Sequence, residues 1–425
     1  MKQGVYIFMP LVVSGIGGGQ LYIRNKQRLL RERGWEVLIF PGKFYGLQIS
    51  GLCNDNVHSF NELQFSPFVF TKKRRERVLA ELEERVSSGI GPVVIESSTV
   101  EQSLWGELLA ERTNAIHTTF LLGENQGKLS ISLLKYLDFK HSNRQLVGIH
   151  GNILPTIFND YKELSRKESY SFKACCSHGV VENCTHSEID SLVRADINIG
   201  CIGRIDKPYV QYVSDAVLEF AANHLDKEIL FVILGGYPFN NSLTKEIKDK
   251  ALSSCNCVIK VIDWTYPIPL NLMTKMDFFV SGTGSAVLTA LERKVTLVVD
   301  VNDCGPVGVL GVNTNSAFRK VPGIEVRLVD AVEDVYQNLM VYEEALKDAE
   351  IDFYSPEKEF DKQMQFLGSL DLKPNYYSFS RFKLEGAEYI EAFLIHIMGL
   401  TLYNKVFQVC KRVKRVVLRG QSRPC

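Results

Sequence analysis

Four short stretches of this sequence group residues able to handle phosphate or to move a proton. Ser14-Gly15-Ile16-Gly17-Gly18-Gly19-Gln20 follows the apolar run Val5–Val13. Glycines let a ligand come close to the backbone, and the N–H groups at a helix start favour negative charge. The spacing excludes two familiar phosphate motifs. A G-x-G-x-x-G count from Gly15 or Gly17 ends on Gln20 or Tyr22, and no Gly-Lys-Ser/Thr follows. What remains is a bare cradle of Gly17, Gly18 and Gly19, or a tight turn with no ligand. Gly203-Arg204-Ile205-Asp206-Lys207 offers an Arg fork and a Lys point charge. Together they can neutralise a diphosphate, or Arg204 can simply pair with Asp206. Ser281-Gly282-Thr283-Gly284-Ser285 opens a helix with small residues, so its amides and hydroxyls can hold phosphate or sugar oxygens. Glu96 and Glu124 are carboxylates at the carboxyl ends of expected strands, where open α/β sheets bind ligands. Either is a candidate base toward an acceptor hydroxyl. His117 falls inside a strand and reads as a core histidine.

These groups must be held by alternating strands and helices. Val5–Val13 has the continuous apolar character of a parallel strand buried on both faces. It also resembles a short signal h-region after Lys2, but a glycine turn and an amphipathic helix follow at once, with Gly34 as the helix stop. Expected strands continue at Glu36–Phe40, Val93–Ile95 and Ala115–Leu122. A second series lies at Asn198–Ile202, Ile229–Leu234, Val258–Val261, Phe278–Val280 and Val295–Asp300. Alternation of this kind predicts two parallel sheets. A length of 425 residues suits two cores rather than one. The expected boundaries are residues 1–195, 196–375 and a C-terminal piece, 376–425, crossing back to the first domain. Residues 138–171 read as polar and helical with a break at Pro155, and 344–373 show no clear pattern.

The charge balance, with 49 basic and 49 acidic residues, argues against a nucleic-acid partner. Ten scattered cysteines match no zinc spacing and no disulfide framework, which predicts a reduced, cytoplasmic protein without a metal site. No apolar run is long enough to predict a transmembrane helix. After Glu391 no acid occurs, while Lys405, Lys411, Arg412, Lys414, Arg415, Arg419 and Arg423 are basic. On a helix, Val406, Cys410, Val413 and Val417 share one face. That profile fits either an interfacial helix on an anionic membrane or a terminal helix packed on the first domain.

Taken together these stretches resemble the retaining GT-B glycosyltransferases of the large "group 1" family, which make bacterial polysaccharides and lipid-linked glycans. The resemblance is carried by Gly17-Gly18-Gly19 with Arg33-Gly34-Trp35-Glu36-Val37, and by Val94-Ile95-Glu96-Ser97 and Leu121–Glu124. It continues in Ser177-His178-Gly179-Val180, Gly200–Lys207, Asp263–Asp277 and Tyr377-Ser378-Phe379. It implies an α/β GT-B fold, with two Rossmann-like domains whose parallel sheets face a central cleft. It also implies a nucleotide-sugar donor on Arg204, Lys207 and Gly282–Ser285, a glycan or lipid-linked acceptor against Gly17–Gly19, and no cofactor. The family's two donor-site glutamates fall on Ser281 and Thr289 here, which leaves Thr289 as a donor-site position without its acid. The expectation is a metal-independent hexosyltransferase of cell-surface polysaccharide synthesis, of the kind that builds capsule or lipopolysaccharide, peripheral on the inner face of the membrane. The alternatives are a non-catalytic GT-B subunit supporting a partner transferase and a GT-B sugar-nucleotide epimerase.

Overall fold

The computed structural model describes residues 3–14, 17–43, 56–86, 91–122, 129–149, 153–158, 171–172, 180–181, 186–236, 241–252, 254–301, 303–317, 325–349, 356–370 and 375–421. It divides into two compact units, residues 1–175 with 355–425, and residues 176–354.

The first unit opens with β1 (Gly4–Met9), α1 (Gly18–Glu32) and β2 (Trp35–Ile39). The strand stops at Met9 because Pro10 has no amide to donate to a ladder. The turn after α1 needs the positive φ of Gly34, 80°, which a side chain resists. There follow α2 (Lys72–Val86), β3 (Val93–Ser97), α3 (Val100–Thr113), β4 (Ile116–Leu121), α4 (Ile131–Ser142), β5 (Leu146–Gly148) and α5 (Ile153–Phe158). Ser130 caps α4 by accepting from the Leu133 amide. The five strands are parallel in the order β2-β1-β3-β4-β5. Sequence reading placed no strand within residues 138–171. β5 is only three residues long and its apolar signal is correspondingly short.

The second unit holds β6 (Val180–Val181), α6 (Ser187–Asp190), β7 (Ile197–Ile202), α7 (Pro208–Asn223), β8 (Ile229–Gly236), α8 (Asn241–Ala251) and β9 (Cys257–Asp263). β10 (Ile268–Pro269), α9 (Leu270–Lys275), β11 (Phe278–Ser281), α10 (Thr283–Leu291), β12 (Thr296–Val299), β13 (Pro306–Val309), α11 (Leu328–Gln337) and α12 (Leu339–Asp348) complete it. Its main sheet runs β13-β12-β11-β7-β8-β9, parallel except for the last pair, β12 with β13. This is the doubly wound Rossmann order, reversing direction between β7 and β11. At that seam Gly200 faces Phe279, and a methyl on Gly200 would lie 2.3 Å from the ring. Ile189 of α6 is buried with Ile202, Leu230 and Met273. The second core therefore begins ahead of residue 196.

The chain then returns to the first unit through α13 (Pro356–Gly368) and α14 (Ala387–Gln421). Two buried carboxylates fasten this return. The Lys26 ammonium, held by Glu96, donates to Gln363 Oε1 of α13 at 2.8 Å, and the Tyr377 amide donates to Glu107 Oε1 at 2.8 Å. α14 breaks at Gly399, whose φ of 72° and ψ of 155° lie outside the helix. The stretch Ala387–Phe407, which runs through that break, is long and apolar enough to cross a membrane by length and composition, although no apolar run in the sequence predicts one.

Candidate donor and acceptor site

The reversal between β7 and β11 brings two of the sequence-predicted loops together at the carboxyl end of one sheet. Gly203–Lys207 leaves β7, and Gly282–Ser285 leaves β11, its neighbour in the sheet. The two loops are tied directly. The Ile202 amide donates to Ser281 Oγ at 3.0 Å, and the Tyr209 phenol hydrogen-bonds the Gly282 backbone. Burial pushes that phenol well above its usual pKa, so it stays neutral. Gly235 backs the first loop. Its carbonyl accepts from the Ile205 amide at 2.9 Å, and a methyl on Gly235 would sit 1.8 Å from the Gly203 oxygen. Only a glycine permits that approach.

Within the pair of loops the functional groups differ in what they can offer. Arg204 is partly exposed and its Nε donates to Asp206 at 3.1 Å, so the pairing that the sequence allowed is present. An exposed pair of this kind is weak enough for an anion to displace. Lys207 is exposed and caps α7 ahead of Pro208, its amide donating to the Arg204 carbonyl. At the start of α10 the Thr283 amide is already given to the Ala317 carbonyl at 2.9 Å, and Thr283 has a φ of 57°. Among the described residues no carbonyl takes the Gly284 and Ser285 amides, which a helix start leaves without an intrahelical partner.

The two positions where the resemblance expects glutamates are both committed internally. Ser281 is fully buried and holds β7. Thr289 is fully buried, bonds the Ser285 and Ala286 carbonyls and accepts from Thr296 at 2.8 Å. Its hydroxyl thus ties α10 to β12. A cavity of about 670 Å³ elsewhere in this unit follows edge strand β9 from its amino-terminal end, past Arg194, Lys248 and Cys255, and includes none of the loop residues.

In the first unit, Gly17 caps α1 and Gly18 and Gly19 form its first turn. Both have ordinary helical backbone. A methyl on Gly18 would meet nothing within 4 Å among the described residues, and one on Gly19 would meet only Leu122 at 3.6 Å. Neither conformation nor packing requires glycine there, although glycine weakens a helix. The bare backbone leaves space over the α1 amides. Gly18→Ala is therefore expected to stabilise the protein, by roughly 0.5–1 kcal/mol in urea unfolding. A loss of stability would refute an open loop.

Glu96 is the penultimate residue of β3, at the carboxyl end of the strand, but its side chain faces inward, 4% exposed. It accepts from Tyr6 at 2.7 Å, Tyr22 at 2.9 Å and Lys26 at 2.6 Å. With three donors on it and almost no exposure, it is engaged as a strut between β1, β3 and α1. Glu124 and His178 lie outside the described residues. His117 is buried as expected, but in a network that sequence reading did not foresee. Its Nδ1 lies 2.7 Å from Glu107 and its Nε2 3.0 Å from Ser97 Oγ, while Lys140 donates to Glu107 at 2.7 Å. Burial and the Lys140 charge push the imidazole down to about 4, so it is neutral, while Lys140 and His117 hold Glu107 down at about 2 against the pull of burial. The order serine–histidine–carboxylate is that of a hydrolytic triad. Here Ser97, His117 and Glu107 are sealed, and a methyl on Gly106 would lie 2.5 Å from both Ser97 Oγ and His117 Nε2.

No protein-family model and no curated protein matches the sequence. Solved structures do match. HepE of Anabaena, in complex with UDP and glucose, superposes with a TM-score of 0.59 over 86% of this chain and 100% of its own, at 14% identity. The fold is GT-B. A glycosyltransferase from Rickettsia africae agrees, with a TM-score of 0.57 over 87% of this chain and 98% of its own at 12% identity, as does TarM, at 0.55, 86%, 99% and 11%. At these identities the shared property is the GT-B architecture. It includes the Rossmann order that puts Gly203–Lys207 beside Gly282–Ser285.

Proposed function

We propose that this protein is a glycosyltransferase that moves a hexose from a nucleotide-sugar to a glycan or lipid-linked acceptor in cell-surface polysaccharide synthesis. The observation that carries this reading is the placement of an Arg–Lys loop and a small-residue helix start on adjacent strands, β7 and β11, at the point where the strand order reverses. Ligands of doubly wound sheets bind at that point. Arg204, Lys207 and the Gly284 and Ser285 amides would hold the diphosphate and stabilise the charge that builds on it as the glycosidic bond breaks. Two cations and a helix end can do this without a metal. HepE, solved with UDP and glucose, supports a uridine diphosphate donor. The acceptor would approach Gly17–Gly19, with Glu124 as the base. The basic run after Glu391 suits an anionic membrane surface, on the cytoplasmic side, where a lipid-linked acceptor is held.

A thermal-shift titration with UDP, GDP and CMP, with and without Arg204→Ala, tests the donor site. UDP is expected to raise the melting temperature of the parent, and Arg204→Ala to remove most of that rise, because a bidentate charge-assisted pair is lost. No shift with any nucleotide in the folded parent would refute the reading. One observation favours a second reading, a GT-B subunit that binds donor without turning it over. Ser281 and Thr289 stand where the resemblance expects acids, and both are engaged in the core. UDP-dependent stabilisation with no sugar transfer to any acceptor would identify it.

A further inference from the structure

We infer that α14 docks on an anionic lipid bilayer by inserting the row Tyr389, Ile390, Phe393 and Ile397, lying in the interface rather than crossing it. This rests on the membrane-surface reading above and adds to it the residues that enter the lipid. Their exposures are 67, 60, 58 and 63%, high for side chains of this size and type. On a helix they fall within one face about 100° wide. Scattered single exposed apolar residues are ordinary, but a contiguous aromatic and aliphatic row marks a contact surface.

Three observations select the bilayer as occupant. First, α14 is already anchored on both sides of its break at Gly399. Ile395, Leu400 and Tyr403 are buried in the first core, with Tyr403 edge-on to Phe65 at 5.8 Å. Crossing a membrane would require unpacking them, so the helix lies along a surface. Second, the acids of this segment stand off the row. Glu388 is half-buried, and its pKa is raised by that burial, while Glu391 accepts from Tyr403 at 3.0 Å. Third, the helix continues beyond Gly399 to Gln421, and the chain after Glu391 carries seven Lys and Arg and no acid. A greasy row followed by a basic run is the composition that binds anionic headgroups and enters the acyl boundary.

The experiment is sedimentation of the full chain with vesicles of phosphatidylcholine alone and of phosphatidylcholine mixed with phosphatidylglycerol. The parent is expected to bind the mixed vesicles. The double variant Phe393→Ser, Ile397→Ser should bind them at least about tenfold more weakly, since two exposed apolar side chains lose their burial. Its melting temperature and its response to UDP should match the parent. If the double variant binds as the parent does, while neutralising Lys411, Arg412, Lys414 and Arg415 to Gln abolishes binding, insertion is overturned and the electrostatic reading stands. If the parent binds neither vesicle, both are overturned, and the donor reading is judged separately by UDP. Self-association in analytical ultracentrifugation that the double variant abolishes would assign the row to a second copy and overturn the inference.

Discussion

Replacing Lys140 by methionine is expected to lower the stability of the first unit by about 3–5 kcal/mol, the usual result of removing one partner from a buried ion pair. The Lys140 ammonium is fully buried and donates to Glu107 at 2.7 Å, Gln145 at 2.6 Å and the His117 carbonyl at 2.9 Å. Without it, Glu107 keeps a buried negative charge whose remaining partners, the Tyr377 amide and His117 Nδ1, carry no compensating charge. Urea unfolding in a Trp264→Phe background isolates the first unit, because the remaining tryptophans, Trp35 and Trp105, both lie there. A loss below about 1 kcal/mol would show the pair to be solvated, since exposed pairs contribute no more than that.

The same cluster fixes a pH dependence. His117 titrates at about 4 in the folded protein against an ordinary 6.5, so between those values the unfolded chain binds the extra proton. Its contribution is complete above pH 6.5 and is lost as pH falls through 4. Glu107 is likewise held at about 2 against 4.5, so its contribution is complete above pH 4.5 and fades as pH falls through 2. The His117 shift corresponds to about 3 kcal/mol at 1.36 kcal/mol per unit. His117→Asn should flatten the stability profile between pH 4 and 6.5 and leave the loss at lower pH. A profile unchanged by the substitution would remove His117 as its source.

Glu96→Gln is the second large effect, and it separates two roles for one carboxylate. It is expected to cost about 3–5 kcal/mol, because Lys26, 1% exposed, would keep a buried charge without its counter-ion. Lys26→Met combined with Glu96→Leu should recover much of the loss, since an apolar pair of similar volume often replaces a buried ion pair without penalty. Donor binding in the surviving folded fraction should be unchanged. If Glu96→Gln instead abolished turnover with no change in unfolding midpoint, Glu96 would be the base that its position in the sequence suggested.

The reason that Glu96 misleads in sequence is general. A carboxylate at the end of an apolar strand looks the same whether its side chain faces solvent or core, because alternation along a parallel strand buried on both faces carries no polar-apolar signal. What settles its direction is Tyr6 on the adjacent strand, Tyr22 and Lys26 one helical turn apart on α1, and Gln363, which accepts from Lys26 across more than three hundred residues of sequence. Only the first three are near enough in sequence to be guessed at. Lys140 and Glu107 are hidden in the same way, since a lysine on a helix reads as a solvated cation until its neighbours are known.

Except for short strands such as β5, β10 and β13, the order of strands, helices and glycine loops is local chemistry, and the sequence by itself determined it. Apolar runs, Gly34 and Pro208 mark where each element starts and stops. The four stretches able to meet phosphate follow from residue type, and so does the basic tail. The tertiary structure alone decided which of these stretches meet. The reversal between β7 and β11 makes neighbours of loops about 80 residues apart in sequence, a matter of strand order that no local propensity encodes. It also decided which polar groups were already taken. Ser281, Thr289 and Glu96 are engaged because burial in a low-dielectric core demands partners for every hydroxyl and charge, and those partners come from distant parts of the chain.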